Sequence, residues 1–162
     1  MADSEKIRAV VLTVSDTRAE TNDASGAALV ELLRETGAEI VEKIIVSDEF
    51  EDLRQTLYAL CARGDANLIL TCGGTGFAPR DNTPEATRAV IEREAQGLAE
   101  AMRFETLKIT PTAMLSRGVC GIRGKCLIIN LPGSPKAARE CFAVIKPVLQ
   151  HAVNLISGNT KH

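Results

Sequence analysis

The sequence predicts a single α/β domain in which helices cover both faces of a mainly parallel β-sheet. Segments rich in β-branched residues alternate with segments that repeat apolar residues at helical spacing. One strand segment, LILTC, is almost wholly apolar, which is typical of a strand covered on both faces. The chain has 162 residues and is 45% apolar, a size that suits one domain with its own core. We therefore treat residues 1–162 as one domain with a core from about residue 8 to residue 156.

The chain opens with a strand, a loop and a helix. Residues 8–14 (RAVVLTV) crowd β-branched residues into an apolar run, which predicts a strand. Residues 17–25 are polar and without periodicity, which predicts a loop. Leucines then recur at helical spacing over residues 26–36, and either Asp23 or Ser25 is a candidate cap for that helix.

A second strand, a second helix and a third strand follow. Glu39 to Val46 returns to strand composition. Between Phe50 and Cys61 the apolar residues recur at i, i+3 and i+4, which predicts an amphipathic helix with Asp48 near its start. Leu68 to Cys72 is the third predicted strand.

The second half of the chain continues the alternation. A helix is predicted from Thr83, as its cap, through about Arg93, because a proline follows Thr83 at the first helical position. Pro147 is expected to kink or restart the last helix. The other predicted elements are a helix over residues 97–107, a strand over residues 125–130, and a last helix that reaches about residue 156.

Charge and cysteine content exclude some classes of protein. The net charge is −2, with 3% aromatic residues and no Trp, so we expect no nucleic-acid partner. Apolar runs are too short to cross a bilayer, so we also expect no membrane partner. The five cysteines form no C-x-x-C pair, and the N-terminal MADSEKIR has no apolar signal core. We expect reduced, mostly buried thiols and a cytoplasmic protein.

Several polar or glycine-rich segments follow directly after predicted strands. In open parallel sheets, ligands bind beyond the carboxyl ends of the strands, where the strand order reverses. We therefore expect these segments to meet at one rim of the sheet. They are Ser15-Asp16, Ser47-Asp48, residues 73–81, and the turn of Pro132, Gly133 and Ser134.

Glycines make the segment after LILTC a candidate phosphate site. Gly73, Gly74 and Gly76 can adopt positive φ and bring backbone N–H groups close to an anion. The pattern is neither a Walker motif nor GxGxxG, and a simple tight turn is the alternative. The turn from Pro132 to Ser134 has the same two readings, a helix cap or a second anion site.

Asp48 and Asp81 are candidate catalytic and metal-binding residues. Paired carboxylates beside a phosphate site often hold Mg²⁺ and orient a transferring phosphoryl group. The alternatives are a helix cap for Asp48 and an Asx-turn for Asp81. Arg80 and Arg117 could counter phosphate charge, and Ser116 could bond either a ligand oxygen or its own backbone.

No general base of the Ser/His type is expected at this rim. The two histidines, His151 and His162, lie in the C-terminal helix and tail.

The motifs of the chain resemble one family over residues 8 to 156. It is the molybdopterin adenylyltransferase family, which includes the G domain of gephyrin, and its GGTG-x6-TPEAT block is long and specific. Cys72 and Asn82 stand where the family often has Thr and Val. The matching segments are LTVSD, the D-x-S-G at residues 23–26, LILTCGGTGFAPRDNTPEAT, IERE, MLSR, GIRGK and LIINLPGSPK.

The resemblance implies an α/β fold of the molybdenum cofactor biosynthesis type, usually a homotrimer. It implies that molybdopterin and ATP are the substrates, with Mg²⁺ as the cofactor. The terminal phosphate of molybdopterin would attack the α-phosphorus of Mg-ATP and release pyrophosphate. A molybdenum insertase is a possible partner for the product.

The resemblance also implies roles for particular residues. The family's essential acidic residues match Asp48 and Asp81, as catalytic and metal-binding residues. Ser15 and Asp16 match its first rim motif, on the nucleotide side or in a structural role. Contacts to the pterin and its phosphate match Gly73, Gly74, Thr75, Gly76, Ser116, Arg117, Pro132, Gly133 and Ser134.

Two other functions remain open on the sequence. The chain could be a non-catalytic molybdopterin-binding or scaffold protein of the same family. It could also be a different nucleotide enzyme on this fold, such as a nucleotide hydrolase.

Overall fold

The computed structural model describes residues 4–160, so His162 and the first three residues of MADSEKIR lie outside it. One six-stranded sheet forms its centre, in the strand order β2-β1-β3-β6-β5-β4. The single-domain α/β prediction is confirmed. The strands are β1 (Arg8–Val14), β2 (Glu39–Val46), β3 (Leu68–Cys72), β4 (Arg93–Glu94), β5 (Cys120–Arg123) and β6 (Cys126–Leu131).

Residues 4–160 also form five α-helices and two short 3₁₀ helices, and the last α-helix follows the final strand. The 3₁₀ helices are Glu20–Asn22 and Pro111–Leu115. The α-helices are α1 (Ala24–Glu35), α2 (Phe50–Arg63), α3 (Thr83–Val90), α4 (Gln96–Leu107) and α5 (Pro135–Ser157). Within residues 4–160, none of the helices combines the length and the apolar character that crossing a membrane requires.

The order of the strands reverses between β1 and β3. Strands β2, β1, β3 and β6 are parallel, whereas β5 and β4 join by antiparallel pairing. The chain passes from β1 outward to β2, then returns across β1 to place β3 on its other side. The carboxyl ends of β1 and β3 are therefore neighbours at the position where such sheets bind ligands.

Helices cover both faces of the sheet, as predicted. One buried cluster joins Ala9 and Val11 of β1 to α1, α4 and α5. The other joins Val10 and Leu12 to α2 and α3. Successive residues of a strand point to opposite faces, so an unalternated apolar strand supplies both clusters. All five residues of β3 are buried, which confirms that interpretation.

Some boundaries differ from the prediction. The loop predicted over residues 17–25 contains a 3₁₀ helix and the start of α1, which Asp23 caps by accepting from the Gly26 N–H. Helix α3 ends at Val90 rather than near Arg93. Arg93 and Glu94 pair with β5 instead, so this end of the predicted helix is wrong.

The cap predicted at Thr83 is also wrong, and so is one of the two alternatives for Pro147, a restart of the last helix. Asn82, not Thr83, precedes α3, and the Thr83 hydroxyl donates to the Gly73 carbonyl at 2.8 Å. Helix α5 does not restart at Pro147 but continues from Pro135 to Ser157. Its apolar stripe, including Phe142 and Leu149, is buried against the sheet on both sides of the proline. That burial keeps the helix continuous despite one missing backbone donor.

All five cysteines are free thiols, as expected. Cys72, Cys120, Cys126 and Cys141 are buried, and Cys61 is half-buried. Burial raises the pKa of the Cys72 thiol to about 11, so this thiol beside the glycine turn is not a thiolate at neutral pH.

Candidate active site

The segment after β3 makes a tight turn against the end of β1. Gly73 and Gly74 have φ of 107° and 66°, which side chains rarely allow. A methyl group on Gly73 would lie 2.4 Å from the carbonyl oxygen of Val14. Glycine is therefore required here by conformation and by space. We call residues Gly73–Gly76 the glycine turn.

Asp48 and Asp81 both face the glycine turn. A methyl group on Gly74 would lie 3.4 Å from Asp48 Oδ1, and one on Gly76 would lie 3.0 Å from Asp81 Oδ2. The side chain of Asn82 donates to the Asp48 carbonyl at 3.1 Å, which ties the segment after the turn to the end of β2. The two carboxylates thus lie on the same rim of the sheet.

Asp16 is a third aspartate at this rim, and Arg80 binds it. Arg80 donates to Asp16 from Nε at 2.6 Å and from Nη2 at 3.1 Å, and to Glu49 from Nη1 at 2.8 Å. The Arg80 guanidinium, with the backbone N–H of Asp48, lowers the pKa of the Asp16 carboxyl. Asp16 is therefore engaged by a protein cation.

Asp48 has the opposite shift. Burial raises the pKa of the Asp48 carboxyl, and the nearby charges of Asp16 and Asp81 act in the same direction. Hydrogen bonding from the Asp16 backbone and the charge of Arg80 oppose that shift without cancelling it. A carboxylate that is costly to ionise is one that a cation would stabilise.

The carboxylates of Asp48 and Asp81 are of the kind that Mg²⁺ binds. Within residues 4–160, no three His, Cys, Asp or Glu side chains are grouped to hold a metal ion. Asp48 and Asp81 each use one oxygen, Oδ2, for a backbone N–H, which leaves Oδ1 of each without a hydrogen bond in that range. Mg²⁺ is commonly held by one or two carboxylates, with water and substrate phosphates completing its shell.

A pocket of about 220 Å³ borders the glycine turn. Its wall includes Thr75, Gly76, Ser116 and Pro132, four of the residues predicted to contact the substrate, but none of the rim aspartates. Most of the remaining wall comes from α4, the 3₁₀ helix at Pro111–Leu115 and the start of α5. The glycine turn therefore contributes to two neighbouring places, the pocket and the acidic rim.

Other predicted contact residues use their polar groups within the protein. Ser15 Oγ accepts from the backbone N–H groups of Thr17 and Arg18, each at 3.2 Å. Ser134 Oγ caps α5 by accepting from Ala137 at 3.1 Å. Ser116 Oγ accepts from the Gly118 N–H at 3.3 Å, the local backbone bond that was one of its two alternatives.

Gly133 brings the turn before α5 against the glycine turn. A methyl group on Gly133 would lie 3.3 Å from the α-carbon of Gly73. The Gly133 carbonyl accepts from Ser25 Oγ at 2.5 Å and from Arg18 Nη2 at 2.9 Å. The D-x-S-G segment thus helps to hold this turn in place.

Arg117 donates hydrogen bonds to carbonyl groups of the glycine turn. Its guanidinium donates to the Gly76 carbonyl at 2.8 Å and to the Asp81 carbonyl at 2.7 Å, and it pairs with Glu85. Its backbone N–H donates to the Thr75 carbonyl at 2.8 Å. The guanidinium of Arg117 is thus bound to the protein itself, and its role in substrate binding stays a prediction.

Comparison with known proteins places the chain in a family. Residues 10–151 match the protein-family profile described as a probable molybdopterin binding domain. This chain belongs to that molybdopterin-binding family. The resemblance drawn from the sequence motifs is thereby confirmed.

Named relatives of this molybdopterin-binding family are similar over nearly all of the chain. Molybdenum cofactor synthesis protein cinnamon of Drosophila melanogaster is 49% identical over 158 residues, which cover 96% of this chain and 26% of that protein. The chain therefore spans about a quarter of cinnamon. Molybdopterin adenylyltransferase of Helicobacter pylori strain J99 is 44% identical over 153 residues, covering 92% of this chain and 87% of that protein.

A solved structure from the family has the same fold. The molybdopterin biosynthesis enzyme MoaB of Thermus thermophilus superimposes with a TM-score of 0.87 and 49% identity. The match covers 94% of this chain and 97% of that structure.

The sequence did not point to three polar residues in the pocket wall, Arg103, Asn130 and Glu140. Asn130 donates from Nδ2 to the hydroxyls of Thr71 and Thr87 and accepts the Val119 N–H. A polar residue near the end of the apolar strand LIIN was a signal for it. No local pattern marks Arg103 or Glu140: on their helices, Arg103 follows the buried Met102 and Glu140 precedes the buried Cys141.

Proposed function

We propose that this chain transfers AMP from Mg-ATP to the terminal phosphate of molybdopterin, with release of pyrophosphate, in molybdenum cofactor biosynthesis. The observation that carries the proposal is the position of the glycine turn, which borders the pocket and also faces Asp48 and Asp81. A substrate with a ring at one end and a phosphate at the other fits that arrangement. The name of the Helicobacter pylori relative supports the same activity.

The proposed reaction divides the site between the two substrates. The pterin ring occupies the pocket, and its phosphate lies against the glycine turn, where backbone N–H groups approach without intervening side chains. A phosphate oxygen of molybdopterin forms a bond to the α-phosphorus of ATP. The bond from that phosphorus to the β-phosphate oxygen breaks, and pyrophosphate leaves.

Asp48 and Asp81 would hold the Mg²⁺ that ATP brings. Bound there, the ion supplies positive charge beside the phosphates. Arg80 keeps the neighbouring Asp16 ionised and fixed, so that the acidic rim retains one shape. The low overall charge of the chain is compatible with this chemistry, because these groups act over short distances.

The proposal includes a cytoplasmic homotrimer that passes its product to a molybdenum insertase. Exposed apolar side chains offer a contact surface for subunits. Phe104 is 64% exposed, Ile109 55% and Met114 62%. Light scattering of the purified chain measures the subunit number directly.

The activity is tested with purified protein, molybdopterin and ATP labelled at the α-phosphate. We expect labelled, adenylylated molybdopterin and pyrophosphate only when Mg²⁺ and molybdopterin are both present. Chelation of Mg²⁺ should abolish both products. Binding of molybdopterin without pyrophosphate release would support the scaffold function instead. Release of free AMP without an acceptor would support a nucleotide hydrolase.

A further inference from the structure

The pocket wall includes Glu140 of α5, an acidic residue whose side chain is mostly covered. Its side chain is only 21% exposed. Its one ion pair within residues 4–160 is with Lys136, at 3.8 Å, and the Lys136 side chain is 83% exposed. The carboxylate accepts no hydrogen bond from any other described residue. Glu140 is therefore poorly compensated by the protein itself.

This environment leaves the Glu140 carboxylate available to a ligand in the pocket. A carboxylate on a largely covered side chain gains from hydrogen bonds that a ligand donates in place of water. An ion pair at 3.8 Å with an exposed lysine contributes little, because solvent screens it. Two hydrogen bonds from a ligand in the pocket would supply what the carboxylate lacks.

Arg103 gives the pocket a group of the opposite character. Its Nη1 donates to the Gly118 carbonyl at 2.9 Å and, at 3.5 Å, to the Ser116 carbonyl. Within residues 4–160, Arg103 forms no ion pair, neither with Glu140 nor with another carboxylate. The pocket thus presents separate acceptor and donor groups in a wall that is otherwise largely apolar or threonine-bearing.

Such a pocket suits a flat heterocycle with a donor edge and an acceptor edge. The 2-amino-4-oxo ring of a pterin has adjacent N–H donors, on N3 and on the 2-amino group, that match the two oxygens of one carboxylate. Parallel hydrogen bonds to a carboxylate are among the strong polar contacts in proteins. The 4-oxo group and ring nitrogens are acceptors for an arginine. A phosphate in the same place would be repelled by Glu140.

We propose that Glu140 binds the 2-amino and N3 edge of the pterin ring and so selects 2-aminopteridines over other pteridines. This inference rests on the proposed function, because it takes the pterin end of the substrate to lie in this pocket. It also orients the substrate, since the phosphate must then point away from Glu140, toward Thr75 and Gly76 at the glycine turn.

The test compares two fluorescent rings, pterin and lumazine, by titration at neutral pH. Lumazine carries an oxygen in place of the 2-amino group, so it loses one donor and presents an acceptor to the carboxylate. We expect the wild-type chain to bind pterin at least about tenfold more tightly than lumazine. Glu140→Gln should bring the ratio close to one, because the glutamine amide offers one acceptor and one donor.

Two controls keep the result specific. Glu35→Gln changes an exposed glutamate of α1 and should keep the wild-type ratio. Retained binding of lumazine by Glu140→Gln shows that the variant folds and that the pocket is open. A wild-type preference that survives in Glu140→Gln overturns the inference, as does a wild-type chain that does not distinguish the rings or binds neither.

The proposed function fails separately from this inference. A chain that selects pterin through Glu140 but forms no adenylylated molybdopterin would keep the inference and overturn the transferase activity. A chain that forms the product, with an unchanged ring preference in Glu140→Gln, would do the reverse.

Discussion

Asp16 and Asp48 bind each other's backbone at the ends of two neighbouring parallel strands. The Asp16 N–H donates to Asp48 Oδ2 at 2.9 Å, and the Asp48 N–H donates to Asp16 Oδ1 at 3.0 Å. Each carboxylate is thereby fixed in direction, although the two like charges are close together. The two hydrogen bonds order the rim of the sheet but hold two like charges close together. The stability of the fold should therefore depend on pH.

Asp48→Asn is expected to make the protein more stable at neutral pH. Burial raises the pKa of Asp48 above its ordinary value of 3.8, so its ionisation disfavours the folded state. As pH rises from 3.8 through that raised pKa, the wild-type chain should lose stability relative to the variant. Below 3.8 the difference should vanish, because the carboxyl is protonated in both states. Urea unfolding at several pH values measures this, and a less stable variant at neutral pH would contradict it.

Lys43→Met is expected to destabilise the fold through Asp23. Lys43 Nζ lies 3.0 Å from Asp23 Oδ2, and the Asp23 side chain is fully buried. Removing one partner of a buried pair should lower the free energy of unfolding by about 3 kcal/mol. Lys6→Met is the matched control, because its pair with Glu39 is exposed and should be worth less than about 1 kcal/mol. Equal losses in the two variants would contradict the account.

The same carboxylate should contribute to acid unfolding. Burial alone would raise the pKa of Asp23, but hydrogen bonds from Thr13 and Gly26 and the charge of Lys43 lower it overall. A lowered pKa contributes stability above the ordinary value of 3.8, and this is lost as pH falls through the folded pKa. Asp23→Asn should therefore flatten the loss of stability below that value. If Asp23→Asn lost stability with falling pH as steeply as the wild type, this prediction would be contradicted.

Gly26→Ala is expected to destabilise the fold, although Gly26 lies in a helix. An added methyl group would lie 2.2 Å from Asp23 Oδ2 and 2.7 Å from Thr13 Oγ1. Overpacking of this buried group should lower the free energy of unfolding by about 2 kcal/mol. Gly97→Ala in α4 is the control, since nothing lies within 4 Å of its methyl position. Alanine there should stabilise by up to about 1 kcal/mol, and thermal unfolding distinguishes the two variants.

Four parallel strands could be predicted from the sequence because their own residues encode them. Strands β1, β2, β3 and β6 are apolar, β-branched segments that end at polar or glycine-rich turns. Strand β5 was missed because Cys120–Arg123 contains a glycine and an arginine and becomes a strand by pairing with β6. A larger residue than Gly121 would clash in this strand, since a methyl group there would lie 2.5 Å from Ile91 Cδ1.

Some residues of the candidate site could likewise be predicted from the sequence, and others could not. The glycine turn and the rim aspartates were predictable, because position after a strand is enough to place them on one edge of a parallel sheet. Arg117 acts through carbonyl groups that only the folded chain brings near it, and Glu140 lies in a pocket wall shared by several elements. Such roles depend on tertiary packing and leave no local pattern.

Arg117→Met is expected to slow turnover by loosening the glycine turn. The variant would lose the bonds to the Gly76 and Asp81 carbonyls, and a displacement of about 1 Å at a reacting group can cost about a hundredfold in rate. Arg117→Lys should not restore the rate, because one ammonium lacks the planar fork. Arg54→Met, which removes an exposed helix pair, is the control. Wild-type kcat and KM in Arg117→Lys would contradict this role.

The central claim is that two carboxylates beside the glycine turn serve the transfer of AMP. The direct measurement is single-turnover formation of adenylylated molybdopterin by Asp48→Asn and Asp81→Asn, with molybdopterin binding measured in parallel. Asp65→Asn, an exposed aspartate of the loop before β3, is the control. We predict that each rim variant is slower by about a hundredfold or more, with molybdopterin binding retained. Either rim variant forming product at the wild-type rate would contradict the account.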